Sequence, residues 1–109
     1  MKHQTALFEV ELALLSAEMG RKSALGNGYR PNHKHPLTGE YFMGHFSLDE
    51  AVQPGEHVIA RVTVLASAEQ IASLQAFGSW TIWEGPHHVG SVKLLGQAWG
   101  KGKIDGDRP

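Results

Sequence analysis

The side chains with the widest chemical reach in this 109-residue sequence are its histidines, of which there are seven. His33 and His35 stand two residues apart, so on an extended chain both rings project from one face. His87 and His88 sit side by side in the turn Glu84-Gly85-Pro86-His87-His88. Two imidazole pairs from two elements form a donor set that Zn²⁺ or a similar ion accepts. His33, His35, His87 and His88 are therefore the metal candidates. Neither pair has a flanking carboxylate to orient its rings, so the expectation is that no metal or other cofactor is held. The alternative is four exposed loop residues, one of which could titrate near neutrality and gate a contact.

A second cluster is basic. Arg21, Lys22, Arg30, His33, Lys34 and His35 fall close together, and residues 16–32 contain no acid after Glu18. Folded onto one face, these groups could meet phosphates or an acidic protein. Tyr29, Trp80 and Trp83 could add stacking platforms for bases. Strand alternation places Trp80 with Ile82 on one side and Trp83 with Thr81 on the other. Trp80 then belongs to the core, and Trp83 is the exposed aromatic. Exposed aromatics mark interfaces, so Trp83, Pro86, His87 and His88 form the candidate protein-binding surface.

Other chemistries are excluded or unsupported. Cysteine is absent, which removes disulfides, thiolate metal sites and a cysteine nucleophile. No glycine-rich string with Lys and Ser or Thr precedes a helix, so GTP binding and hydrolysis by this chain are not expected. Gly100-Lys101-Gly102-Lys103 lacks that spacing. No Ser-His-Asp set or carboxylate pair can be assembled, and no enzyme activity is expected. The net charge of -1 and pI near 6.6 argue against a general nucleic-acid binder. No apolar run is long enough for a membrane helix, and Glu9 and Glu11 interrupt the N-terminal run as no signal peptide would. The chain reads as cytoplasmic, with no membrane partner.

The elements that must position these residues are mainly strands. Phe8, Val10, Leu12 and Leu14 alternate with Glu9, Glu11 and Ala13, and Val58, Ala60, Val62 and Val64 form one face with Arg61 and Thr63 on the other. Period two predicts half-buried strands over 8–15 and 57–66. Further strands are expected over 40–48, 77–83 and 89–95, the last two as a hairpin. Pro54-Gly55 predicts a type II turn. Ser67 with Gln70 three residues on predicts a capped helical turn over 67–74. Residues 16–32 read as a long loop, 1–7 as an N-terminal extension, and 100–109 as a frayed tail. Short strands separated by turns predict one domain over 8–99, an antiparallel β-barrel with a sandwich as the fallback.

The ordered set Phe8-Glu9-Val10, Leu15-Ser16, Glu18, Gly20-Arg21, Gly28-Tyr29-Arg30-Pro31, Thr38-Gly39, Pro54-Gly55-Glu56, Val58, Val62, Phe77, Ile82, Glu84-Gly85 and Val89-Gly90 resembles the C-terminal β-barrel domain of translation elongation factor Tu. The resemblance spans about Phe8 to Leu95 and implies a six-stranded closed antiparallel barrel. In that family the domain helps bind aminoacyl-tRNA and contacts partner proteins. The sequence departs from the family at Lys22-Ser23, at Asn32 to Leu37, at Trp83 in place of an arginine, and at Pro86-His87-His88. The scaffold is kept, and the contact residues are largely replaced. The leading expectation is a non-catalytic binding module, translation-related, with a protein partner at the Trp83 face. The alternatives are RNA (tRNA) binding through Arg21, Lys22, Tyr29, Arg30, His33, Lys34 and His35, and a small histidine-based metal protein.

Overall fold

A computed structural model of the chain describes residues 3–100, with side-chain surroundings given through Gly96. Six strands and one helix follow in the order β1 (His3–Leu14), β2 (Asn32–Lys34), β3 (Tyr41–Ser47), β4 (His57–Ser67), α1 (Ala68–Phe77), β5 (Ser79–Glu84) and β6 (His87–Gly100). The strands close into an antiparallel barrel, ordered β1-β4-β3-β2-β5-β6. Closure removes the two open edges that a flat sheet of this size would leave.

The period-two pattern is what the barrel uses. Phe8, Val10, Leu12 and Leu14 from β1, and Ala60, Val62, Val64 and Ala66 from β4, all point inward and are buried. They face each other along an unbroken register that pairs Phe8 with Val62 and Val10 with Ala60. Phe46, Trp80 and Ile82 complete the middle of the core, and Trp80 meets Phe8 edge-on at 6.2 Å between ring centroids. Each such fully buried large side chain contributes on the order of 1.5–3 kcal/mol.

The turn chemistry follows the sequence. Gln53 O accepts from Glu56 N at 3.1 Å, and Gly55 takes the positive φ of 87° that a type II turn demands at that corner. The helix starts where expected. Ser67 Oγ accepts from Gln70 N while the Gln70 side chain accepts from Ser67 N, a complete capping box.

Some boundaries differ. β1 starts at His3, so residues 3–7 belong to the barrel rather than to an extension, and Ala6 is buried against the core. Phe77 is the last residue of α1 rather than the first of a strand. The helix runs on past Leu74 until Gly78, at φ 88°, turns it off and donates its N–H to Leu74 O. Phe77 is left about half exposed. β6 extends beyond Leu95 to Gly100, and the tail expected after it lies outside the described residues. The loop over 16–32 holds, but its last residue opens the short strand β2, which pairs with β3 on one side and β5 on the other.

Candidate functional site

β2 supplies the first test of the candidates. Its pleat sends His33 inward and Lys34 outward. His33 is fully buried, stacked against Phe42 at 5.2 Å and tilted against Phe46 at 5.5 Å. Its Nδ1 accepts a hydrogen bond of 3.0 Å from Trp80 Nε1, so in the neutral ring the proton sits on Nε2. That atom lies against the backbone of Gly44 and makes no hydrogen bond among the described residues. Burial pushes the His33 pKa down to about 4, and the ring is neutral at physiological pH.

His35 is also buried. Its Nδ1 accepts from the backbone N–H groups of Leu37 (3.1 Å) and Thr38 (3.3 Å), and its Nε2 meets Ser73 Oγ at 2.8 Å. The ring ties the β2–β3 turn to α1.

These two environments correct the sequence reading. His33 and His35 reach no solvent-borne phosphate, so both leave the RNA-binding set. Each has committed the lone pair that a metal would need, His33 to an indole N–H and His35 to backbone N–H groups, so both also leave the metal set. No group of three or more His, Asp or Glu gathers to hold an ion among the described residues.

Arg21 differs from expectation too. Its guanidinium is paired with Glu84, donates to Ser23 O (2.7 Å) and Ala24 O (3.2 Å), and lies 5.2 Å from the Tyr29 ring. Glu84 Oε2 also accepts from the Tyr29 hydroxyl. Burial, reinforced by the Glu84 carboxylate, holds the Tyr29 phenol well above its ordinary pKa. The loop thus acquires its acid from β5 and is clamped to the barrel wall. Arg21 and Tyr29 act structurally, and the cationic face is reduced to Lys22, Arg30 and Lys34. Lys22 Nζ donates to Ala17 O at 3.2 Å, and Arg30 is exposed.

The outer side of the same strands holds a different assembly. Trp83 is half-buried and faces outward with Thr81, as alternation predicts, and its Nε1 donates to Thr81 Oγ1 at 2.9 Å. His88 stacks on one side of the indole, with centroids 5.1 Å apart at 26°. Lys34 Nζ lies 4.7 Å from the Trp83 ring and 5.8 Å from the Tyr41 ring. Lys34 pairs with Tyr41 on one side and Thr81 on the other, which sets the order Tyr41, Lys34, Trp83, His88 across four strands. His88 Nε2 donates to Gly90 O at 3.0 Å, which fixes the ring against the indole. Pro86 and His87 project from the adjoining turn and are exposed.

The structure therefore brings Trp83, Lys34 and His88 together, with Pro86 and His87 at the rim. The sequence reading missed Tyr41 as the outer end of this strip, Glu84 as the partner of Arg21, and Ser73 as the partner of His35. Thr81, two residues before Trp83, was the one such partner that local spacing could reveal. Among the described residues, no helix is long and apolar enough to cross a membrane. No protein-family model matches the chain, and no curated protein matches it.

Proposed function

We propose that the chain is a non-catalytic binding module that captures a protein partner on the outer strip Tyr41–Lys34–Trp83–His88. The carrying observation is the Trp83 platform. A large aromatic is held in one orientation by a hydrogen bond, a ring stack and a cation, and it still faces solvent. Binding to a preorganised ring costs little ordering entropy, which is why tryptophan dominates interface energetics. The resemblance to the elongation factor Tu barrel supports a translation-related partner, on a face whose contact residues have been exchanged.

The test is quantitative capture from the native cytosol by the wild-type chain and by Trp83→Ala, with both protein and RNA identified. A folded Trp83→Ala that loses one discrete protein partner supports the reading. Undiminished capture removes it.

The second reading is RNA. A cation between two rings can stack a base and neutralise its phosphate, and Lys34 between Trp83 and Tyr41 is such a set. It requires retention of tRNA at low ionic strength that falls with salt and weakens on Lys34→Ala or Arg30→Ala.

A further inference from the structure

On the far side of the barrel the ladder between β3 and β4 is incomplete. It stops at Ser47 and Arg61, although β4 begins at His57. Asn27 Oδ1 accepts the Leu48 N–H at 2.8 Å, on the same side as the Phe46 bonds to the Tyr29–Gly28 turn, so the chain leaving β3 stays tied to the preceding loop. Val52 then bridges to Leu25 through a reciprocal pair of backbone hydrogen bonds. The chain after β3 is drawn away from β4, and a groove of about 490 Å³ opens between segment 48–53 and the start of β4.

Among the described residues, the backbone facing this groove has no ladder partner. Leu14 N donates to Glu56 O, which places a hydrogen-bonded pair at that register. Antiparallel alternation then points the peptide groups of Val58 and Ala60 at β1, and those of His57 and Ile59 away from it, into the groove. Phe46 confirms the phase from the other side. Its N–H and C=O bond the Tyr29–Gly28 turn rather than β4. Among the described residues, no backbone hydrogen bond outside the ladders involves His57 or Ile59.

Side chains specify what the edge could accept. Ile59 is 68% exposed, an apolar residue presented to solvent. Glu11 stands directly opposite it on β1, and Glu9 stands opposite Arg61. Asp49, Glu50 and Glu56 line the groove itself, and Asp49 also reaches the adjoining hollow beside Glu9 and Arg61. Five carboxylates thus lie around Arg61 and His57, whose ring contacts Glu11 at 3.3 Å, while Lys93 of β6 stands opposite Glu11 on its other side.

We propose that this edge takes up an extended, lysine- or arginine-bearing peptide segment of a partner protein, added as a short strand beside His57–Ala60. Backbone donors and acceptors of the segment meet those of His57 and Ile59. Its alternate apolar side chains cover Ile59, and its cations meet Asp49, Glu50 and Glu11. This is strand addition at an exposed edge, in which main-chain bonds supply affinity and side-chain chemistry supplies selection. A small cation or polyamine satisfies the carboxylates but neither the peptide groups nor Ile59. Of the Trp83 strip only Tyr41 lies on a strand that adjoins β4, and it opens β3 at the end opposite Ser47 and the groove, so the two surfaces stand or fall separately.

The probe is an acetylated and amidated six-residue peptide alternating lysine and valine, titrated into the full ¹⁵N-labelled chain. Saturable amide shifts confined to residues 48–53 and 57–61, with slowed hydrogen exchange at Ile59, are expected. Two further peptides carry backbone N-methyl groups on one edge or the other, and one of the two should bind at least roughly tenfold more weakly. Asp49→Lys/Glu50→Lys, both exposed loop positions, should weaken the parent peptide by a similar factor, as like-charge juxtaposition does. A glutamate–valine peptide should give no saturable shift. The proposal is overturned if the lysine–valine peptide produces no saturable shift or shifts other strands. Equal binding of both methylated forms, or of the glutamate–valine peptide, overturns it as well.

Discussion

His33 and Lys34 are consecutive residues of a three-residue strand, and Trp80 and Trp83 share the strand beside it. Inside the barrel, His33 accepts from Trp80 and is walled in by Phe42 and Phe46. Outside, Lys34 and His88 hold Trp83 at the surface. The same residue types, a basic side chain beside an indole, serve the core on one face and remain available on the other. What separates them is a single step of the pleat, which decides whether lone pairs and charge are consumed by folding. Residue identity alone is therefore a poor guide to binding chemistry in a small barrel, and the side of the wall is the better one.

The sharpest way to break this contrast is to truncate both tryptophans. Trp80→Ala should cost about 3–5 kcal/mol in denaturant unfolding, with an added penalty because the buried His33 Nδ1 loses its donor. That is a large part of the roughly 5–15 kcal/mol available to a domain, so the variant should be largely unfolded or strongly destabilised. Equal effects for Trp80→Ala and Trp83→Ala would erase the distinction.

Acid titration sharpens it next. The folded-state pKa of His33, about 4, lies below the ordinary value of 6.5. As pH falls, the unfolded chain takes up this proton first, so protonation favours unfolding. The contribution is intact above pH 6.5 and is lost between there and about pH 4, amounting to roughly 3 kcal/mol. His33→Gln should flatten that limb of the stability–pH profile. A profile unchanged by His33→Gln contradicts the buried assignment.

Gly44→Ala probes the floor under the same ring. A Cβ there would stand 2.9 Å from both His33 Nε2 and Thr63 O. Overpacking of this kind costs about 1–3 kcal/mol, readable as a shifted denaturation midpoint with an unchanged slope. The smallest effect belongs to Trp83→Ala, at most about 1 kcal/mol, because its ring caps other surface groups and fills no cavity.

Much of the scaffold was legible in the residues. The alternation in β1 and β4, the Pro54-Gly55 turn and the Ser67–Gln70 cap are local signals, read within a few positions of one another. The opposite facing of Trp80 and Trp83 followed from period two alone. β2 was not legible as a strand, since three residues show no period and its pairing partners come from β3 and β5. The environments of the candidate site were hidden for the same reason. Trp80 is 47 positions from His33, Ser73 is 38 from His35, and Glu84 is 63 from Arg21. A histidine in Asn-His-Lys-His reads as surface until the distant donor that shelters it is known.

The position of β1 in the barrel has a consequence for synthesis. The first strand made pairs with β4 and with β6, the latter ending at Gly100 opposite Ala6. At roughly 5–20 residues per second, β1 waits on the order of seconds for one neighbour and longer for the other. The sequence-distant pairing also predicts slow folding in the millisecond-to-second range. During that interval the alternating carboxylates of Glu9 and Glu11 are the features that discourage nascent chains from pairing with one another.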